Sequence, residues 1–147
     1  MIQSFGVIYW SLLTGASLWL SLAFLAPYAL VQKSIVGPIL YIFFHQVCHQ
    51  LPDRSFFWFG HPLAVCHRCL GLYLGFWVGL LLYPYVHTLR DHLKQRPRTI
   101  LIFLLPAVLD AVTLNNPWSR WTTGLLATFP VALFVMISLK QWGQKIK

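Results

Sequence analysis

The chain has 147 residues, of which 58% are hydrophobic and 10% charged, with seven Trp, six Tyr and eleven Phe. A soluble single-core domain carries about half apolar and about a quarter charged residues, so this composition excludes an ordinary soluble domain. It equally excludes a disordered chain, a collagen-like chain and a small disulfide scaffold. The formal charge is +8, from eleven Lys/Arg against three Asp and no Glu.

The first apolar run is Phe5–Val31, uncharged and long enough to span a roughly 30 Å hydrocarbon core with some tilt. Tyr9, Trp10 and Tyr28 suit its interfaces, and Gly15 and Pro27 are candidate bends. It lacks a basic leader and exceeds a signal-peptide core, so it reads as a retained helix. Ser34–Val47 is apolar but interrupted by Gly37 and Pro38, too short for a straight span, and reads as a re-entrant or interfacial helical segment. Ser55–Val65 opens on the aromatic row Phe56, Phe57, Trp58 and Phe59, which suits the headgroup region.

Leu70–Val86 reads as the second span. Gly71, Gly75 and Gly79 recur at i, i+4 and i+8 and line one face, where small residues let another helix approach. Residues 99–114 read as a third, short span carrying Pro106 and Asp110. Asn115–Ser119 is a turn, and residues 121–139 form the fourth span. The expected fold is a single all-α integral membrane domain over 1–147, with four transmembrane helices and a Cys/His-bearing cap over 34–69.

Seven of the eleven Lys/Arg lie in Arg90–Arg98 and Lys140–Lys147, each following an apolar run. This is the positive-inside pattern. A nucleic-acid binder would present a basic face on a soluble fold, so no nucleic-acid partner is expected. The rule puts the 87–98 loop and the C-terminus in the cytoplasm of a prokaryotic inner membrane. The 34–69 cap then lies at the extracytoplasmic edge. Asp110, about eleven residues or roughly 16 Å into its helix, and Arg120 face that same end.

The cap holds all three cysteines. Cys66-x-x-Cys69 can chelate one tetrahedral metal, with Cys48 as third ligand. His49 or His45 can supply the fourth, and His49 gains if the preceding helix ends at Cys48. The expected cofactor is therefore a metal ion, zinc by ligand type. Three other readings stay open: a Cys66/Cys69 redox dithiol with Cys48 resolving, a structural disulfide plus one thiol, and inert small residues. His61 and His67 read as polar tips of an interfacial belt, and His87 and His92 as solvated.

Asp110 is the only acid within a span, and such a carboxylate needs a partner. Arg120 can reach it from the next helix, and Arg54 or Arg68 can anchor on it. The excess of guanidinium charge around Asp110 suits an anionic headgroup or another phosphate-bearing lipid. Snorkelling to headgroups is the plainer reading for Arg54 and Arg68.

The text Cys48-His49-Gln50-x-Pro52-x-Arg54-Ser55-Phe56, followed by Cys66-x-Arg68-Cys69-x-Gly71-x-Tyr73-x-Gly75, resembles a prokaryotic domain-of-unknown-function family of small predicted membrane proteins. The resemblance covers about residues 44–125 and extends to Asp110, Arg120 and Gly124. It departs where Ala111 follows Asp110 in place of Gly, and where Asp53 stands in place of a frequent Glu. It implies an integral membrane protein and points to Cys48, His49, Arg54, Cys66, Arg68, Cys69, Asp110 and Arg120; His45 and His67 fall outside its motif. It names no reaction, so catalysis is undecided. Besides the metal centre, two functions compete: a thiol–disulfide or quinone-linked oxidoreductase using Cys66 and Cys69, and a non-enzymatic subunit or assembly factor of a larger membrane complex. The expected partners are the bilayer, an anionic lipid and a membrane-protein neighbour.

Overall fold

A computed structural model describes residues 2–113 and 116–145, with side chains over 5–110 and 116–143. The first helix, α1 (Ile2–Val31), is apolar on all sides, as a lipid-facing helix is. It stops in a Schellman turn. The Ser34 N–H donates to Ala29 O at 3.0 Å and the Lys33 N–H to Leu30 O at 2.9 Å. Lys33 occupies the left-handed position with φ 53°, where glycine is usual.

That turn folds α2 (Val36–His45) back along α1. Gly37 permits it, since a Cβ there would sit 2.8 Å from Leu30 Cδ2 and 2.9 Å from the Leu30 nitrogen. Gly37, Leu40 and Phe44 are buried, while Ile39, Ile42 and Phe43 are exposed. The segment is thus a short helix stapled to α1, with Pro38 accommodated in its first turn.

The cap then departs from the all-helical expectation. A 3-10 turn at Pro52–Arg54 leads into a small hairpin, β1 (Phe57–Trp58) against β2 (His61–Pro62). Phe59 and Gly60 make its two-residue loop, both at positive φ (52° and 77°), as a type I′ turn requires. The aromatic row becomes this hairpin, with Trp58 edge-on to Phe24 and Phe59 beside Tyr28, both on α1.

Helix α3 (His67–Leu82) packs on α6 (Pro117–Lys145) along the glycine stripe. A Cβ on Gly71 would meet Trp121 O, one on Gly75 would meet Leu125 O, and one on Gly79 would lie 2.6 Å from Phe129 O. Gly124 answers from α6, where a Cβ would lie 2.9 Å from Arg68 O. The Thr128 hydroxyl donates to Leu72 O at 2.7 Å across the seam. Where lipid supplies no hydrophobic drive, this close backbone approach and hydrogen bond hold the pair together.

The span read at 70–86 does not run straight. It breaks after Leu82, and α4 (His87–Gln95) leaves at 107°. The basic loop is therefore an amphipathic helix. Leu93 is fully buried against a cluster that includes Leu80, Leu133 and Met136, and His87 and His92 are exposed. A second 3-10 turn, Pro97–Thr99, leads into α5 (Ile100–Thr113), which packs on α6. The end of the expected third span, Leu114, and Asn115 of the expected turn lie outside the described residues.

Two hydrophobic clusters mark the ends of the molecule. One gathers Ala23, Phe44, Cys48, Leu63, Val65 and Leu70; the other gathers Leu13, Leu80, Tyr83, Leu93 and Met136. Helices α1, α3 and α6 each contribute to both clusters, and so run from end to end. Among the described residues, two helices, Phe5–Val31 and Pro117–Gly143, are long and apolar enough to cross a membrane, or three if the bent α3–α4 pair is one span. At 14 residues, α5 measures roughly 21 Å, short of a typical hydrocarbon core.

Candidate metal centre and arginine cavity

Two segments bring the sulfurs together. The chain leaves α2 at His45 and makes one more turn, so that the Cys48 N–H donates to Phe44 O at 2.9 Å. Cys48 is buried there. Cys66 is the residue that caps α3, with extended backbone (φ −74°, ψ 165°), and Cys69 sits in the first turn. The sulfurs of Cys48, Cys66 and Cys69 all lie within 4.8 Å of one another, and all three are free thiols.

Hydrogen-bond donors gather on two of these sulfurs. The Cys66 N–H donates to Cys48 Sγ at 3.2 Å. The Cys66 thiol is pulled well below the usual range by hydrogen bonds from the Cys48 and Cys69 thiols, assisted by the backbone N–H groups of Cys69 and Arg68, while burial opposes the shift. A tetrahedral zinc with sulfur ligands at about 2.3 Å separates them by about 3.8 Å. Three sulfurs already inside 4.8 Å meet that geometry with small side-chain movement.

Gln50 fixes the loop that carries Cys48 and His49. Its Nε2 donates to Tyr41 O at 2.9 Å and to Ala64 O at 2.8 Å, tying α2 to the segment between β2 and Cys66. Gln50 itself takes a left-handed conformation (φ 51°) to do so. The Tyr41 hydroxyl donates to Pro62 O and closes the same seam. Sequence reasoning passed over Gln50. Its signal was an amide directly after a Cys-His pair and two residues before a proline.

Beside the sulfurs lies a cavity of ≈310 Å³. Its walls include Arg54 from the 3-10 turn, Arg68 from the start of α3 and Arg120 from the start of α6. His49, His67, Cys66 and Cys69 complete the polar lining. Asp110, 1% exposed, pairs with Arg68: Nη2 donates to Oδ2 at 3.3 Å. This link ties α5 to α3 at the sulfur end. It leaves Asp110 Oδ1 and Arg68 Nε buried without hydrogen-bond partners among the described residues.

The sequence-derived residues divide accordingly. Cys48, Cys66 and Cys69 converge. His49 stays outside the sulfur group, exposed, on the cavity wall. His45, also exposed, does not join the sulfurs, because α2 ends at it and the next turn carries Cys48 elsewhere. His67 is no interfacial tip: it is buried, edge-on to Phe56 with centroids 4.2 Å apart, and lines the cavity. Its position one residue after the capping Cys66 turns it inward. Asp110 pairs with Arg68, and Arg120 shares the cavity with it.

A family model described as a predicted membrane protein family, DUF2085, matches residues 48–134. An uncharacterized protein of Methanocaldococcus jannaschii is 37% identical over 125 residues, covering 77% of this chain and 80% of the relative. A second uncharacterized protein, from Methanothermobacter thermautotrophicus, is 30% identical over 103 residues, covering 64% of this chain and 88% of the relative. No solved structure matches. The matched segment begins at Cys48 and takes in the whole sulfur cluster, the glycine seam, Asp110 and Arg120: the chain is a member of the DUF2085 family of predicted membrane proteins.

Proposed function

We propose that this protein is a four-span membrane protein holding one zinc ion at its extracytoplasmic edge, with Cys48, Cys66 and Cys69 as thiolate ligands and His49 as the fourth. The observation that carries the reading is the convergence of three sulfurs from two separate segments within 4.8 Å, with the Cys66 N–H donating to Cys48 Sγ. A dithiol exchanging with one resolving cysteine needs only two sulfurs in reach at a time. Three thiols packed mutually are the donor set of a tetrahedral soft-metal site. His49, on the adjoining cavity wall, would supply the fourth ligand. With His49 as a ligand, the site would be closed and would pin the loop after α2 to the start of α3; with three cysteines alone holding it, the ion would have an open position and could supply Lewis-acid chemistry.

The four-span arrangement rests on α1, α3, α5 and α6 as alternating crossings. Support comes from Asp110 near the end of α5 reaching Arg68 at the start of α3, and from Ile100 at the start of α5 packing in the opposite cluster with Leu80 and Met136. The short α3 and α5 are compatible with a locally thinned bilayer. The basic α4 and the tail then face the cytoplasm in an inner membrane, and the glycine seam on α3 is the packing face for α6.

Metal analysis of protein purified without chelator tests the centre. About one zinc per chain is expected, falling sharply in Cys69→Ser. Less than about 0.2 per chain in the wild type contradicts it. A reversible Cys66–Cys69 disulfide, seen by mass after alkylation in metal-free protein, moves the assignment to the redox reading. Reporter fusions within 90–98 should report cytoplasm, and those at Asn116 the opposite side.

A further inference from the structure

The geometry points to the arginine cavity as a receptor for a phosphate-type oxyanion, either free phosphate or the terminal phosphate of a lipid headgroup, held by Arg54, Arg68 and Arg120. The cavity measures ≈310 Å³, ample for a phosphate group and part of what it is attached to. Three guanidiniums reach it from three separate segments. Among the described residues, Asp110 pairs with one of them, Arg68. Asp53 is not on the wall, and Asp91 belongs to α4. A zinc held by three thiolates carries one residual negative charge, so the wall stays net positive in either metal state.

The donors are also pre-arranged. Asp110 holds Arg68 through Nη2 and leaves Arg68 Nε buried with no acceptor among the described residues. An orphaned buried donor is unfavourable, and an incoming oxygen would satisfy it. Helices α3 and α6 both begin at this cavity, adding the positive ends of their dipoles to the guanidinium field. A carboxylate is satisfied by one guanidinium fork. Three forks from three directions match the three or four oxygens and the higher charge of a phosphate.

This inference does not depend on the metal, and its test keeps the two apart. Zinc content is measured on each sample. Wild type, Arg54→Gln and Arg120→Lys are titrated with inorganic phosphate in uncharged detergent. The same three are reconstituted in phosphatidylcholine nanodiscs with and without phosphatidic acid, and retained phosphatidic acid is counted by native mass spectrometry. Saturable phosphate binding that weakens about tenfold in Arg54→Gln supports a free-phosphate site. Weak phosphate binding with phosphatidic acid retained by wild type and lost from both variants supports a headgroup site. Arg54 is exposed, so its replacement leaves the fold intact. The inference is overturned if neither ligand binds saturably, or if the variants bind as well as wild type. Zinc-free protein that binds phosphate removes only the metal centre; zinc-loaded protein that binds neither removes only the anion site.

Discussion

The two ends of this molecule are both rich in cations, yet they use them in opposite ways. At one end Arg54, Arg68 and Arg120 line a cavity, Arg68 is fixed by a buried carboxylate, and two of the three clustered thiols, Cys66 and Cys69, line the same wall. At the other, Lys94, Arg96, Arg98 and Lys140 are exposed, on or near an amphipathic helix whose one buried side chain is Leu93. Arg90 there leans over the Tyr83 ring at 5.0 Å and donates to Tyr83 O, a contact that seats α4 at the break after α3. Equal charges can orient a chain in a bilayer or build a site. Burial and convergence from separate segments distinguish the two.

That contrast can be broken by mutation. Arg68→Ala strands Asp110, 1% exposed, without its ion-pair partner, and should cost about 3–5 kcal/mol. Arg96→Ala at the opposite end should stay within about 0.5 kcal/mol. Unfolding of both in mixed micelles measures the difference, and equal losses would erase the distinction between the ends.

Glycines sharpen it further. Gly75→Ala forces a methyl onto Leu125 O and Thr128 Oγ1 of α6, an overpacking expected to cost about 1–3 kcal/mol. Gly143→Ala meets open space near the end of α6 and should be neutral or gain up to about 1 kcal/mol from helix propensity. Thermal midpoints of the two variants should move in opposite directions or by clearly different amounts.

The smallest effect concerns the turn that sets α2. Lys33→Gly relieves a left-handed lysine in the Schellman turn and should stabilise by about 0.5–1 kcal/mol. A loss of stability would mean that the lysine contributes contacts beyond this turn.

Much of this was legible in the sequence because it depends on local spacing. The Gly71/Gly75/Gly79 repeat can face only one way on a helix, and Cys66-x-x-Cys69 at a helix start brings two sulfurs together whatever surrounds it. The Phe5–Val31 run declares its own length. What was not legible depended on through-space geometry. The break after Leu82 carries no distinctive text beyond Pro84, so residues 70–86 read as one span and the basic stretch as a loop. Leu89 and Leu93 were the available sign of an amphipathic helix there. The aromatic row reads as an interface belt, yet Phe59-Gly60 makes it a hairpin. His67 looks like any interfacial histidine until Cys66 is seen to cap α3 and turn it inward.

The most direct test of the sulfur end is cobalt substitution of the purified wild-type protein, followed by absorption spectroscopy with each of Cys48→Ser, Cys66→Ser and Cys69→Ser. The account predicts intense thiolate-to-cobalt charge transfer and a tetrahedral ligand-field pattern in the wild type, with the charge-transfer intensity reduced by each of the three substitutions. A spectrum without sulfur ligation, or one unchanged by any one of the three substitutions, would contradict a metal centre built from all three cysteines.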